Sequence, residues 1–572
     1  MTILPRLAAA LGLAVILALG PIPAVAYTPT VSGTGAFLAG QQALQELRTA
    51  DTVRFFATAV AEESDNPLVL RRAVVGFASN GDIEGAAQIA RRLLKLDPND
   101  QMARLITATE AMKQRRYAAA AEDLSNLGAD SFEGVTGAIL KAWALVATGR
   151  IDDGYALLDG LGEGGLEDFL LFHRSLMASV AGRQDVAISY ASEAYDLEPF
   201  APDIVEEYSR ALGNAGRFGE AIDAIVGYEA QGLKHPLISV VKADLLANRR
   251  PGPMAANAQE GAANMFYTIG LAFAREGGND VALVFMRLGS YLDPENDLIN
   301  FGIGQLYDGA EQHLTANAIY EALPAASPLK SMAIVRIADN LDAMGNRTEA
   351  ISRLSQIVAD NPDDLDAVTV LGDLYRSDKQ WLAAADTYTK ALTITGGNTP
   401  GDWRLYYVRG ITYERAKQWP TAEPDFLKAL ELNPNQPQVL NYLGYSWVDQ
   451  GLNLDRALGL IQRAVAASPQ DGYIIDSLGW AFYRLGRYDE AVTELERAVG
   501  LKPNDPEIND HLGDAYWRVG RKLEARFQWN VATSVDTEGN VKARAEPKLV
   551  SGLDGVPVDE DSKPIVEQPT TN

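Results

Sequence analysis

The 572-residue chain contains no cysteine and only four histidines. The first absence excludes disulfides, thiolate metal sites and cysteine nucleophiles. The histidines, His173, His235, His313 and His511, come no closer to one another than 62 residues. None has a second histidine at the i+3 or i+4 spacing that sets two such ligands on one helix face, so neither a metal site nor a histidine-based catalytic pair is indicated. Positive charge is also scarce, with 50 Lys and Arg against 76 Asp and Glu and a net charge of −26. A surface this acidic repels phosphate backbones and anionic lipid, which argues against nucleic-acid binding and favours solubility. Long apolar runs are missing after the first twenty residues, so no later membrane-spanning helix is expected.

The first segment is the exception. Arg6 precedes the apolar run Leu7 to Gly20, and Ala24-Val25-Ala26 places small residues ahead of Tyr27. That order is expected of a secretory signal peptide, here 1–26, cleaved between Ala26 and Tyr27. The run is shorter than the roughly 20 apolar residues a membrane span needs. No cysteine stands at the cleavage point, so no bacterial lipid anchor is expected. The expected product is soluble, exported and periplasmic.

What the chain does have is small side chains at a fixed interval, the first thing to test in a long sequence. In DSLGWAFYRLGRYDEAVTELERAVGLKPN, residues 476–504, Gly479 is followed by Ala491, Ala498 and Pro503. Gly410, Ala422, Ala429 and Pro434 repeat that spacing, and Gly513, Ala525 and Ala532 continue it. Traced from Gly40 to Gly513, the first small position recurs fifteen times, and eleven of the fourteen steps are 33 or 34 residues. The second small position is Ala or Gly in fourteen of the fifteen cases, Thr52 being the other.

Each unit reads as two short helices. Leu478, Trp480, Ala481 and Tyr483 belong to the first, Gly486 marks the turn, and Val492, Leu495 and Val499 form an apolar stripe on the second. Gly479 and Ala491 are small because the two backbones approach there. The residue before Pro503 is biased away from helix, which ends the unit. A helix of about a dozen residues is marginal alone, so the units must stack to persist.

This pattern resembles the tetratricopeptide repeat over about residues 36–536, most strongly from 262 onward. The resemblance implies an all-α fold, a right-handed superhelical solenoid of about 14–15 helix-turn-helix repeats, with the first helices lining a concave groove. Counted in that register, the groove residues are Asn441, Tyr445, Tyr473, Asp476, Trp480, Tyr483, Asp510, Asp514, Trp517 and Arg518. Aromatic anchors beside polar groups suit contact with a protein or peptide. Chaperone-tail binders of this family hold a terminal carboxylate with a Lys/Asn clamp. The matching position here reads Ile411, Tyr445, Trp480 and Asp514, so no such clamp is expected.

The period breaks in three places. NRRPGPMAANAQEGAAN, 248–264, degrades a second helix with Pro251, Gly252 and Pro253. It predicts a hinge loop over 251–261, between a degenerate N-terminal array at 33–250 and a C-terminal array at 262–536. TITGGNTPGD, 393–402, predicts a longer connection. At the end, a capping helix is expected over 541–553, and the polar, Pro-rich segment 555–572 is expected to be disordered. GLGEGG at 160–165 matches G-x-G-x-x-G, but no strand precedes it, so a turn between repeats is expected rather than a dinucleotide site.

Residues 441–499 are similar to the C-terminal repeats of exported bacterial solenoids that partner carboxyl-terminal processing proteases. That resemblance implies a non-catalytic periplasmic adaptor that delivers substrates to a serine protease, or activates it, in cell-envelope maintenance. The alternative is a scaffold for outer-membrane or polysaccharide assembly and export. An enzyme would need a catalytic domain outside the repeats, and the longest such stretch is the 36 residues after 536. No enzymatic activity, metal or small-molecule cofactor is therefore expected.

Overall fold

The computed structural model describes residues 32–553 except 126, 128–130 and 162–164. The expected signal peptide and C-terminal tail lie outside the described residues. Those described form thirty α-helices and no strand. The unit around Gly479 shows why the helices start and stop. The Asp471 side chain accepts hydrogen bonds from the backbone N–H of Tyr473 and Ile474 and opens the helix Gly472–Arg484. Gly486 turns the chain at φ 73°, a conformation that costs glycine little, and the second helix runs Tyr488–Leu501. Asp505 then caps Pro506–Arg518.

The close approach falls on the repeated small positions. A Cβ on Gly479 would lie 2.6 Å from the Leu495 side chain and 3.2 Å from its backbone nitrogen. Ala491 is fully buried. Beneath Gly513 the Trp529 ring comes within 2.5 Å of such a Cβ, and the Ala525 carbonyl within 3.1 Å. A further regularity appears sixteen residues after the anchor. Gly40, Gly304, Gly372, Gly410 and Gly513 sit against Phe56, Tyr320, Tyr388, Phe426 and Trp529, all fully buried. Where the anchor is instead Val74, Ala108, Ala142 or Ser175, the residue at that interval is Ala90, Leu124, Leu158 or Ala191. Volume is exchanged across the crossing so that each pair closes at the density of a protein interior. Ala491→Leu should therefore overpack its crossing and lower stability by about 1–3 kcal/mol, measured as a reduced urea midpoint.

The contacts divide the chain into two compact units, one ending at Ala333 and the next starting at Ile334. In the first, six helix pairs run from Gly33–Gln45 to Phe218–Glu229, and a lone helix, Pro236–Leu246, follows. The chain then turns back. The hairpin Ala258–Arg275 and Asn279–Leu292 packs on Pro67–Ser79, Gln101–Lys113, Phe132–Ala147 and Glu167–Val180, each the first helix of its pair. Trp143 fills the space left by Gly261, whose Cβ would lie 2.1 Å from the indole. Phe132 meets Phe273 and Phe285 edge-on at 4.7 and 5.6 Å. Gln259 Nε2 donates to the carbonyls of Met112 and Lys113 at 2.6 and 3.0 Å, and Lys113 Nζ donates to that of Leu292 at 3.1 Å. The inner face of the first array is thus occupied by the chain's own hairpin.

This fold-back moves the division of the molecule. The expected boundary at 251–261 lies inside the first unit, because the helices after it pack on the array before it. The loop is also shorter than expected: Asn257 caps a helix that already includes Ala258 to Gly261. Arg210 donates to the Pro251 carbonyl at 2.9 Å, and Gly252 N–H donates to Asn214 Oδ1 at 3.0 Å. The Gly-rich stretch at 160–165 lies in sequence between the helices Ile151–Asp159 and Glu167–Val180, and its residues 162–164 lie outside the described residues.

The second unit stacks further pairs in the same manner. Their first helices include Leu365–Ser377, Trp403–Arg415, Pro437–Asp449, Gly472–Arg484 and Pro506–Arg518. The connection at 393–402 contains a single 3-10 turn, Pro400–Asp402, closed by a capping box from Thr399. A terminal helix, Asn540–Ser551, covers the last pair and includes Pro547.

Candidate functional site

A cavity of about 1020 Å³ opens on the inner face of the second unit. Its walls come from Trp403–Arg415, from the next three first helices in order, and from the terminal helix. All the groove residues expected from the register line it except Trp517. Trp517 points elsewhere, stacked at a tilt on Trp529 at 5.5 Å and covered by Gly552.

The residues brought together are not equally open. Tyr473 is 54% exposed, with Lys502 Nζ 5.0 Å above its ring. Tyr445 is half-buried, and burial beside the Asp476 and Asp449 carboxylates holds its hydroxyl protonated well above the usual tyrosine range. Asn441 Nδ2 donates to Ser477 Oγ at 3.2 Å, while its buried Oδ1 has no partner among the described residues. Trp480 is buried and committed within the wall, stacked on His511 at 4.0 Å and on Tyr483 at 4.7 Å. Tyr483 is fully buried and its hydroxyl accepts from Arg518 Nε at 3.3 Å.

The histidine that the sequence left without a role holds this wall together. His511 Nδ1 lies 3.0 Å from Asp476, and Nε2 lies 3.4 Å from Glu507. Burial alone favours the neutral ring, but the two carboxylates outweigh it and raise the pKa to about 10. The ring is therefore a cation at neutral pH, stacked on the face of Trp480. A pKa raised on folding contributes stability that is complete below pH 6.5 and is lost as pH climbs through about 10. His511→Gln should thus be less stable than the parent by about 1–3 kcal/mol at pH 7. The gap should narrow as pH approaches 10, followed by thermal melts across that range.

The far end of the cavity is closed by the terminal helix. Lys548 Nζ sits 2.8–3.0 Å from all four oxygens of Asp510 and Asp514, which are only 1% exposed. Arg544 Nε reaches Asp510 at 2.7 Å and its Nη2 reaches Glu507 at 2.6 Å. Burial and the adjacent Asp510 carboxylate push Asp514 up to about 6, against the pull of Lys548.

These pairs share a register that the sequence could have revealed. Asp449 meets Arg484, Asp476 meets His511 and Tyr483 meets Arg518, each 35 residues apart. Asp510 meets Arg544 and Asp514 meets Lys548, each 34 apart. An acceptor in one unit is answered by a cation about one period later, across the seam between stacked first helices. The signal is a spacing of one repeat, which a scan for ligand pairs within a helix passes over.

Models of the tetratricopeptide repeat match residues 71–134, 335–402 and 407–472, and a TPR repeat model matches 479–520. Over 199 residues the chain is 28% identical to a TPR repeat-containing protein of Pseudomonas aeruginosa, covering 34% of this chain and 32% of that protein. Over 136 residues it is 23% identical to anaphase-promoting complex subunit 3 of Schizosaccharomyces pombe, covering 24% of this chain and 20% of that protein. The chain thus spans a third or less of the curated relatives it matches. Among solved structures, the APC/C hetero-tetramer Cut9-Hcn1 aligns with 91% of this chain and 96% of its own, at a TM-score of 0.38 and 14% identity. The TPR protein YrrB aligns with 34% of this chain and 97% of its own, at a TM-score of 0.27 and 20% identity. The matched segments cover less than half of the chain, and the helix pairs around them cross on the same small residues, so the fold of the described residues is an all-α stack of tetratricopeptide-type helix pairs.

Proposed function

We propose that this protein is a non-catalytic periplasmic adaptor that holds a partner protein or peptide in the inner groove of its second unit. The observation that carries the reading is a contrast between the two inner faces. The first array fills its own with the hairpin 258–292, whereas the second unit leaves a cavity of about 1020 Å³ whose open wall includes Tyr445 and Tyr473. Aromatic rings at a groove surface among polar groups, here the exposed Tyr473 and the half-buried Tyr445, are the residues that carry binding energy at protein interfaces. The similarity of residues 441–499 to protease-partnering solenoids favours a carboxyl-terminal processing protease and its substrates as partners, in cell-envelope maintenance.

A photo-crosslinking residue at position 473 tests this directly. Periplasmic crosslinking should capture a serine protease, and Tyr445→Ala with Tyr473→Ala should reduce the binding of that partner about tenfold or more. Capture of a glycan synthase or an outer-membrane barrel subunit instead would replace the protease with an assembly machine. Capture that is indifferent to the two tyrosines would remove the groove from the mechanism. Fractionation that leaves the chain outside the periplasm would remove the localisation.

A further inference from the structure

The lone helix Pro236–Leu246 is a first helix without a second. One side of it is covered: Ile238, Val241 and Leu245 are buried with Val205, Leu212 and Ile225 of the preceding pair. The side that a second helix would cover is open. Its anchor Ala243 is exposed, and Leu246 is 61% exposed. The residues one period earlier, Ser209 and Leu212, are fully buried beneath their own second helix. The chain that should cover this face places Ala255 twelve residues after Ala243, at the proper spacing. Pro251, Gly252 and Pro253 prevent a helix there. The segment instead runs to Arg210 and Asn214, and the next hairpin packs on earlier helices.

We propose that this face is a seat for an amphipathic helix of a partner protein, which completes the seventh pair in trans. Charge selects the occupant. Lys234 stands just before the helix and Arg250 just after it, both exposed and neither in an ion pair among the described residues. The nearer cations are already answered, Lys242 by Glu229 and Arg249 by Asp244. A second copy docked through the same face would bring like charges together, which opposes self-association. The fitting partner is a helix with small residues along one face and a carboxylate near each end. Paired antiparallel, as in the other units, its first turn lies by Arg250 and its last by Lys234.

The chain contains a helix of this kind, which serves as the probe. Gln184–Leu197 buries Ala187, Ala191 and Ala194 on one face and carries Asp185 and Asp196 near its ends. A fluorescein-labelled peptide of residues 183–198, titrated with the full chain, should bind saturably and protect the amides of 236–247 from hydrogen exchange. Leu246→Glu, at a position the fold leaves exposed, should weaken binding at least about tenfold. Lysines in place of the peptide's Asp185 and Asp196 should do the same, with partial recovery on a chain carrying Lys234→Glu and Arg250→Glu. Absence of saturable binding, or binding indifferent to Leu246→Glu, overturns the proposal. Protection over 167–180 instead would mean that the peptide exchanges with its own counterpart, and overturns it too. A concentration-dependent dimer abolished by Leu246→Glu would make a second copy the occupant, against the charge argument.

Discussion

Trp143→Ala should cost the first unit about 3–5 kcal/mol, the upper end for truncation of a buried aromatic. Trp143 is fully buried at the seam between the helix Phe132–Ala147 and the hairpin that lies across it. Its indole occupies the space where Gly261 lacks a side chain, so the two surfaces interlock at that point. Removing the ring leaves a void that the hairpin backbone is too constrained to fill, since Gln259, two residues before Gly261, is bound to the Met112 and Lys113 carbonyls. The loss should appear as a lowered denaturation midpoint for the first unit with the second unchanged, and as faster exchange across 258–292. Gly261→Ala tests the same fit from the other side, because the new methyl would fall inside the indole. If Trp143→Ala leaves the midpoint where it was, the hairpin is not locked to the inner face.

The second large effect belongs to Lys548. Its ammonium is the shared partner of two carboxylates that are 1% exposed. Removing one member of a buried ionic group commonly costs about 3–5 kcal/mol, because the charges left behind are neither hydrated nor paired. Lys548→Met should approach that figure. The protein has one escape: the terminal helix can lift away and let Asp510 and Asp514 hydrate. The expected signature is therefore local, with exchange protection lost over 540–551 while the pairs before it hold. Replacing Asp510 and Asp514 with asparagine in the Lys548→Met chain should recover most of the loss, since it is uncompensated charge that destabilises and not the absence of an ion pair. A triple variant as unstable as the single one would show that packing of the lysine stem, rather than charge, dominates.

The helix pairs were legible in the sequence because the interactions that make them are near in the chain. Gly479 meets a helix that starts nine residues later, and the turn between is set by Gly486. The register of the inner face was legible for the same reason, so Asn441, Tyr445, Tyr473, Asp476 and Trp480 fall on one wall of one cavity. Which of them remain open was not. Trp480 is enclosed by His511, and Asp514 by Lys548, each contributed by a unit about one period further on. For His511 only Glu507, four residues earlier on its own helix, was within reach of a local scan; the closer partner, Asp476, is 35 residues away.

By itself the sequence determined the all-α fold, the period, the small residues at each crossing and the place where Pro251, Gly252 and Pro253 forbid a second helix. Only the tertiary structure decided that the chain after that break returns to fill the first inner face, and so that the open groove lies in the second unit. The physical reason is range. A crossing within a pair is fixed by residues a dozen positions apart, whereas Trp143 and Gly261 recognise each other across more than a hundred, through shape that neither local segment displays.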